Sequence, residues 1–219
     1  MSYTAGMADG TAPREVVEAG YDSVADDYAA LERTGHEWPR LRWLGDMLSR
    51  VTPGARVLDV GCGNGIPATR EIAGQHEAIG IDISSAQIER ATRNVPTAAF
   101  KRADLMEVEF TEPFAAISAF YVIEHVERDH HAEVFARLHS WLVPGGYLLF
   151  TIEPGDQPGT VGEWLGRPMY FSQHDAETTL RLVRDAGFDV VETEIEDQRE
   201  GDREVTYMWV LAQRGESGA

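Results

Sequence analysis

The stretch Arg56-Val57-Leu58-Asp59-Val60-Gly61-Cys62-Gly63-Asn64-Gly65 constrains this chain more than any other. An apolar run carrying an aspartate is followed by glycines at alternate positions and then by a helix-like segment, 67–73. That order describes a buried parallel strand feeding a tight turn against which a ligand can lie. Glycine suits the turn because it accepts positive φ and because no Cβ blocks close approach. A dinucleotide-binding G-x-G-x-x-G would require glycine at 66, where the chain has Ile66 followed by Pro67.

The rest of the chain continues the alternation of strand and helix. Upstream, Glu15 to Leu31 has the periodicity of a helix that Gly20 weakens and could divide, and a second helix runs from Trp38 or Pro39 to Arg50. A second strand, Glu77 to Ile81, ends in Asp82, about twenty residues past the glycine turn, where a carboxylate can accept both hydroxyls of a ribose. Ser84 is an equally good cap for the helix that follows, Ser85 to Asn94. Further strands are expected at 97–102, 114–120 and 147–152, with a helix at 129–142 between the last two. Residues 153–173 break the rhythm: Gly155, Pro158, Gly159, Gly162, Gly166 and Pro168 make it read as a long loop, and Trp164, Met169, Tyr170 and Phe171 argue that it is an ordered cap. A final helix, 175–186, precedes two strands, 189–194 and 204–212, read as a hairpin that makes the last strand antiparallel. The expected fold is a doubly wound α/β domain, a mostly parallel seven-stranded sheet covering residues 14–213. Residues 1–13 read as a flexible leader and 214–219 as a loose tail.

With 37 acidic against 19 basic side chains, the net charge of −18 disfavours a nucleic-acid partner, and no apolar run is long enough for a membrane span. Cys62 is the only cysteine, which excludes an intrachain disulfide and fits a reducing cytoplasm. His125, His130 and His131 lie close in sequence but lack ligands at a recognisable metal spacing, so no metal site is expected.

The D-x-G-x-G-x-G pattern from Asp59 to Gly65 resembles motif I of the class I S-adenosylmethionine-dependent methyltransferases. Three other stretches in the expected order strengthen the resemblance: Ile79-Gly80-Ile81-Asp82, Ala103-Asp104-Leu105, and Leu142-Val143-Pro144-Gly145-Gly146-Tyr147-Leu148-Leu149. One departure is Ala115, where the family usually has aspartate. The resemblance implies a Rossmann-like domain of the small-molecule type, with lid helices over 15–51. S-adenosylmethionine would be the cofactor and S-adenosylhomocysteine the product. Cofactor contacts would come from Tyr21, Asp59, Gly61, Cys62 and Gly63, from Asp82, Ile83 and Gln87, and from Asp104, Leu105 and Phe120. Asp104 would accept the adenine amino group, and Tyr21 would face the methionine end.

The stretch from Tyr121 to Val126 would border the reacting methyl. His125 is the candidate base because it titrates near neutral pH; Glu124 and Tyr121 are the neighbouring candidates. Tyr28, Trp38, Trp164 and Tyr170 are candidates for the acceptor pocket. The activity implied is methyl transfer to oxygen or nitrogen of a small molecule, by a monomer or homodimer. An NAD-type dehydrogenase and a non-catalytic protein of the same fold are the alternatives.

Overall fold

A computed structural model describes residues 10–33, 39–200 and 203–216. Two helices, α1 (Pro13–Arg33) and α2 (Arg40–Ser49), precede the sheet. Then β1 (Arg56–Val60), α3 (Ala68–Ala73), β2 (Glu77–Asp82), α4 (Ser85–Asn94), β3 (Ala99–Arg102) and β4 (Phe114–Ala119) alternate. Two single 3-10 turns, Ile123–His125 and Arg128–His130, lead into α5 (His131–Trp141) and β5 (Leu142–Ile152). The chain ends with β6 (Gln157–Trp164), β7 (Arg167–Gln173), α6 (Ala176–Asp185), β8 (Phe188–Glu200) and β9 (Arg203–Arg214).

Seven strands form one sheet in the order β3-β2-β1-β4-β5-β9-β8. The first five are parallel, and β9 runs antiparallel to both β5 and β8. Alternation along β1 explains the two faces. Leu58 and Val60 enter a core with Phe135, Leu138 and Trp141 of α5 and Val183 of α6. Val57 faces the other way, into a core with Trp43, Leu44 and Met47 of α2 and Ile72 of α3. Each such large side chain, buried, contributes roughly 1.5–3 kcal/mol.

The chain winds outward from β1 through β2 to β3, then returns to place β4 on the other flank of β1. That reversal opens a crevice at the carboxyl ends of β1 and β4, the position where open α/β sheets hold ligands.

Two expectations change. Gly20 does not divide α1, because it serves packing: a Cβ there would lie 2.8 Å from Met169 Cε and 3.0 Å from the Pro168 carbonyl oxygen. Residues 153–173 are not a long loop, since most of them form the β6–β7 hairpin, a separate two-stranded sheet. Leu165 and Gly166 turn it, both with positive φ (48° and 75°), the conformation that matches strand twist in a two-residue hairpin. Thr160 opposite Phe171 and Gly162 opposite Met169 set its register. The final two strands are also longer than expected. Among the described residues no helix is long and apolar enough to cross a membrane.

Candidate active site

The crevice holds a cavity of about 330 Å³. Its floor is made by the turn after β1 and the ends of β2 and β4. Gly61 and Gly63 have φ of 65° and 52°. A Cβ on Gly61 would meet Val122 Cβ at 2.8 Å, so this backbone lies against the segment after β4 at a distance only glycine permits. The Gly63 N–H donates to Asp82 Oδ2 (2.9 Å), and the Ser84 N–H donates to Oδ1 (2.8 Å). Each oxygen keeps a lone-pair direction for a further donor. Burial pushes the Asp82 carboxyl up to about 6, against those two N–H bonds. Ser84 caps α4 by accepting from the Gln87 N–H, which leaves Asp82 uncommitted to capping. Asp104 Oδ1 accepts from the Met106 N–H (2.8 Å) in a tight local turn.

The cover is α1. Arg14, Glu18, Asp22 and Asp26, spaced four apart, lie on one helix face. They reach four successive places on the rim. Arg14 pairs with Glu107 and lies 3.7 Å from Asp104, and Glu18 pairs with Arg102. Asp22 Oδ1 accepts from Ser84 Oγ (2.5 Å) and the Ala86 N–H (3.1 Å), and Asp26 accepts from Arg90 (2.6 Å). Beneath this row, Val17 and Tyr21 pack with Met169, Tyr170, Val161, Trp164 and Phe171 of the hairpin. Lid and hairpin thus share a small core distinct from the two sheet cores.

Where lid, hairpin and β4 converge, Tyr21 Oη is 2.8 Å from His125 Nε2, and His125 Nδ1 is 2.8 Å from the Tyr170 carbonyl oxygen. A carbonyl only accepts, so Nδ1 carries the hydrogen and Nε2 accepts from the Tyr21 hydroxyl. Burial lowers the His125 pKa to about 4, against the stabilising Tyr170 carbonyl, so the ring is neutral at pH 7. Trp164 contacts the rings of Tyr21 and Tyr28, at 5.4 and 5.5 Å between centroids. Tyr121 lines the cavity from a left-handed backbone, φ 56°.

Among the sequence-derived candidates, Tyr21, Gly61, Gly63, Asp82, Ile83, Asp104, Leu105, Phe120, Tyr121, His125 and Tyr28 line this one cavity. Others face elsewhere. Asp59 is buried behind the floor, accepting from Thr69 Oγ1 (2.6 Å) and Ser118 Oγ (2.8 Å). The Cys62 thiol turns from the cavity toward Gly80, and burial raises its pKa. Gln87 is fully buried within the base of α4. Glu124 is buried away from the cavity, because a 3-10 turn rather than an extended segment carries residues 123–125. Tyr170 contributes its carbonyl, while its hydroxyl points to Gly159 of the same hairpin. Trp164 backs the lid tyrosines without lining the cavity, and Trp38 lies outside the described residues. Sequence reasoning missed Arg14 and Asp22; the four-residue spacing of opposite and like charges along α1 was the available signal.

Residues 34–193 match the model of the methyltransferase domain family. The chain belongs to that family. The match begins after α1. Within the family's reach, the chain is 35% identical over 113 residues to a trans-aconitate 2-methyltransferase of Methylobacterium nodulans, covering 50% of this chain and 43% of that protein. The chain thus spans less than half the length of that relative. By structure it is similar to the 1,6-didemethyltoxoflavin-N1-methyltransferase of Burkholderia thailandensis (TM-score 0.71, 19% identity, covering 97% of this chain and 95% of that one). The cyclase SpnF superposes equally well (TM-score 0.71, 20% identity, covering 97% and 99%). Such likenesses establish the class I methyltransferase fold and leave the reaction to the site.

Proposed function

We propose that this methyltransferase-domain protein transfers the methyl group of S-adenosylmethionine to an oxygen or nitrogen of a small-molecule acceptor. The observation that carries the reading is the Asp82 carboxylate. It is half-buried, held by two backbone N–H groups, and faces the cavity beside an open turn. A Cβ on Gly63 of that turn would find nothing nearer than Tyr28 Cε1, at 3.7 Å. A ribose with two free hydroxyls fits the Asp82 acceptor, and a dinucleotide's 2′-phosphate would be repelled by it. Asp104 and Leu105 suit the adenine edge, and Tyr21, Tyr28 and Phe120 suit the methionine end. The dehydrogenase alternative has no support in the family match.

The bound cofactor supplies an electrophilic methyl on a sulfonium cation. What the protein supplies is alignment and exclusion of water, effects that together reach several kcal/mol. Its aromatic walls accommodate a cation without trapping it. The proton route offered by this geometry runs through Tyr21: its hydroxyl passes a hydrogen to His125 Nε2 and takes one from the acceptor. With an imidazole whose pKa is about 4, that transfer is coupled to attack rather than preceding it. Acceptor charge is also restricted. Arg14 is the only Lys or Arg among the described lining residues, against Asp82, Asp104, Glu107, Glu127 and Glu133. The reading therefore favours a neutral or cationic acceptor over a polycarboxylate. It also favours the cytoplasm, on the strength of the free Cys62 thiol.

The test is incubation with methyl-labelled cofactor and a metabolite extract split by anion exchange, read by mass spectrometry for a gain of one methylene. Label in the unretained fraction is expected. Label only in the retained, anionic fraction overturns the acceptor charge, and no label in any fraction overturns methyl transfer.

A further inference from the structure

Behind the wall made by Phe120 and Tyr121 sits a charge to which the reaction gives no task. Arg40 opens α2 and is 5% exposed. Its guanidinium carbon lies over the Tyr121 ring at 4.8 Å from the centroid and over Phe120 at 5.8 Å. Both distances are within cation–π range. Tyr121 is the residue that most needs such support. Its left-handed backbone is uncommon for a bulky side chain and is disfavoured unless its surroundings determine it.

Those surroundings come from outside the cofactor-facing loops. The Tyr121 N–H donates to Thr151 Oγ1 of β5 (2.8 Å), its hydroxyl meets the side-chain amide of Gln198 on β8, and its ring stands edge-on to Tyr207 of β9. Arg40 adds the ring-face contact from α2. Helix α2 does not depend on Arg40 for its seat, since Trp43, Leu44 and Met47 are all at most 2% exposed and Trp43 Nε1 donates to Glu196 (2.8 Å).

We infer that Arg40 is a positioning residue, whose guanidinium holds the Tyr121 ring in place and thereby fixes the cavity wall beside the reacting end of the cofactor. This rests on reading the cavity as the cofactor site. Lysine is not equivalent, because an ammonium lacks the planar face that stacks on a ring. Arg40 also attracts the buried Asp59 carboxylate, so a neutral replacement alone would confuse two effects.

The experiment uses the full chain and S-adenosylhomocysteine as probe, with affinity measured by calorimetry. Arg40→Met is expected to weaken binding about tenfold. Arg40→Lys, which keeps the charge opposite Asp59, is expected to recover thermal stability but only part of the affinity. In a Tyr121→Leu background Arg40→Met should change affinity less than twofold, because the object it positions is gone. Incorporated 3-fluorotyrosine, with the Tyr121 resonance assigned through Tyr121→Phe, should show that resonance shifted in Arg40→Lys and the others unmoved. Unchanged affinity and an unmoved resonance in Arg40→Lys overturn the inference, as do independent effects in the double variant. Failure of the unsubstituted chain to bind the probe instead overturns the cofactor site itself.

Discussion

The floor and the cover of the cavity are built by different means. The floor is backbone: glycines at positive φ, N–H groups aimed at a half-buried carboxylate, and strands clamped between two large cores. The cover is side chains: a row of polar pairs along α1 and a core of a few residues shared with the β6–β7 hairpin. Exposed ion pairs are each worth little. The floor is therefore preorganised for its ligand, while the cover is a separable unit whose opening costs a fraction of what unfolding costs.

The sharpest test of this contrast is Gly61→Ala. The added Cβ meets Val122 at 2.8 Å on a residue already at φ 65°. Loss of measurable S-adenosylhomocysteine binding is expected, with roughly 1–3 kcal/mol lost in urea denaturation. Near-normal affinity would mean that the floor yields and the contrast fails.

Asp82→Asn comes next. It removes the charge but keeps one accepting oxygen, so binding should weaken by about ten- to a hundredfold while stability changes by about 1 kcal/mol or less. Comparable losses in both would make Asp82 a structural clamp.

The same group gives a pH signature. Binding through hydroxyl donors needs the carboxylate, whose pKa is about 6 in the folded protein, so affinity should fall by up to about tenfold per unit below pH 6. Thermal stability reads this poorly. Asp82, raised from its ordinary value, contributes less destabilisation as pH falls through 6, whereas His125, lowered to about 4, contributes stability that is lost as pH falls from 6.5 toward 4. The two oppose each other. Calorimetric affinity against pH, flattened in Asp82→Asn, decides it.

Changes in the cover should be smaller. Gly20→Ala adds helix propensity of about 1 kcal/mol but sets a Cβ 3.0 Å from the Pro168 carbonyl, pushing lid from hairpin. The expected result is a nearly unchanged melting temperature with several-fold faster release of S-adenosylhomocysteine in stopped flow. A large fall in melting temperature would show that the cover is integral to the fold. Asp26→Asn is the mildest: its partner Arg90 is paired at the surface, and a loss within about 0.5 kcal/mol, with affinity within twofold, is expected.

The floor is legible in the sequence because it uses residue types with few other purposes. Alternating glycines after an apolar run and an aspartate at the end of the next strand announce both the strands and the crevice between them. The cover is legible only in part. Gly20 reads as a helix weakness because sequence alone does not reveal that Met169 lies against it. The glycines and prolines of 153–173 read as a loop because Leu165-Gly166 is a weak turn signal next to the usual Asn-Gly. Glu124 is drawn into the site by proximity in sequence, and Asp59, Cys62 and Gln87 by the family resemblance; a 3-10 turn, the pleat of β1, the turn after it and the inner face of α4 direct these side chains away from the cavity. Tyr170 lies in the right place but acts through its carbonyl, which no residue type encodes.

The rungs at 14, 18, 22 and 26 bear on how this helix tolerates genetic change. A point substitution forfeits one contact, whereas inserting or deleting a single residue between rungs turns one part of the helix by about 100° relative to the other. Arg14 and Glu18 would then swing off the rim together, and Tyr21 would leave His125. Kindred chains that keep this closure can vary in composition along α1, yet the count of residues from rung to rung is fixed.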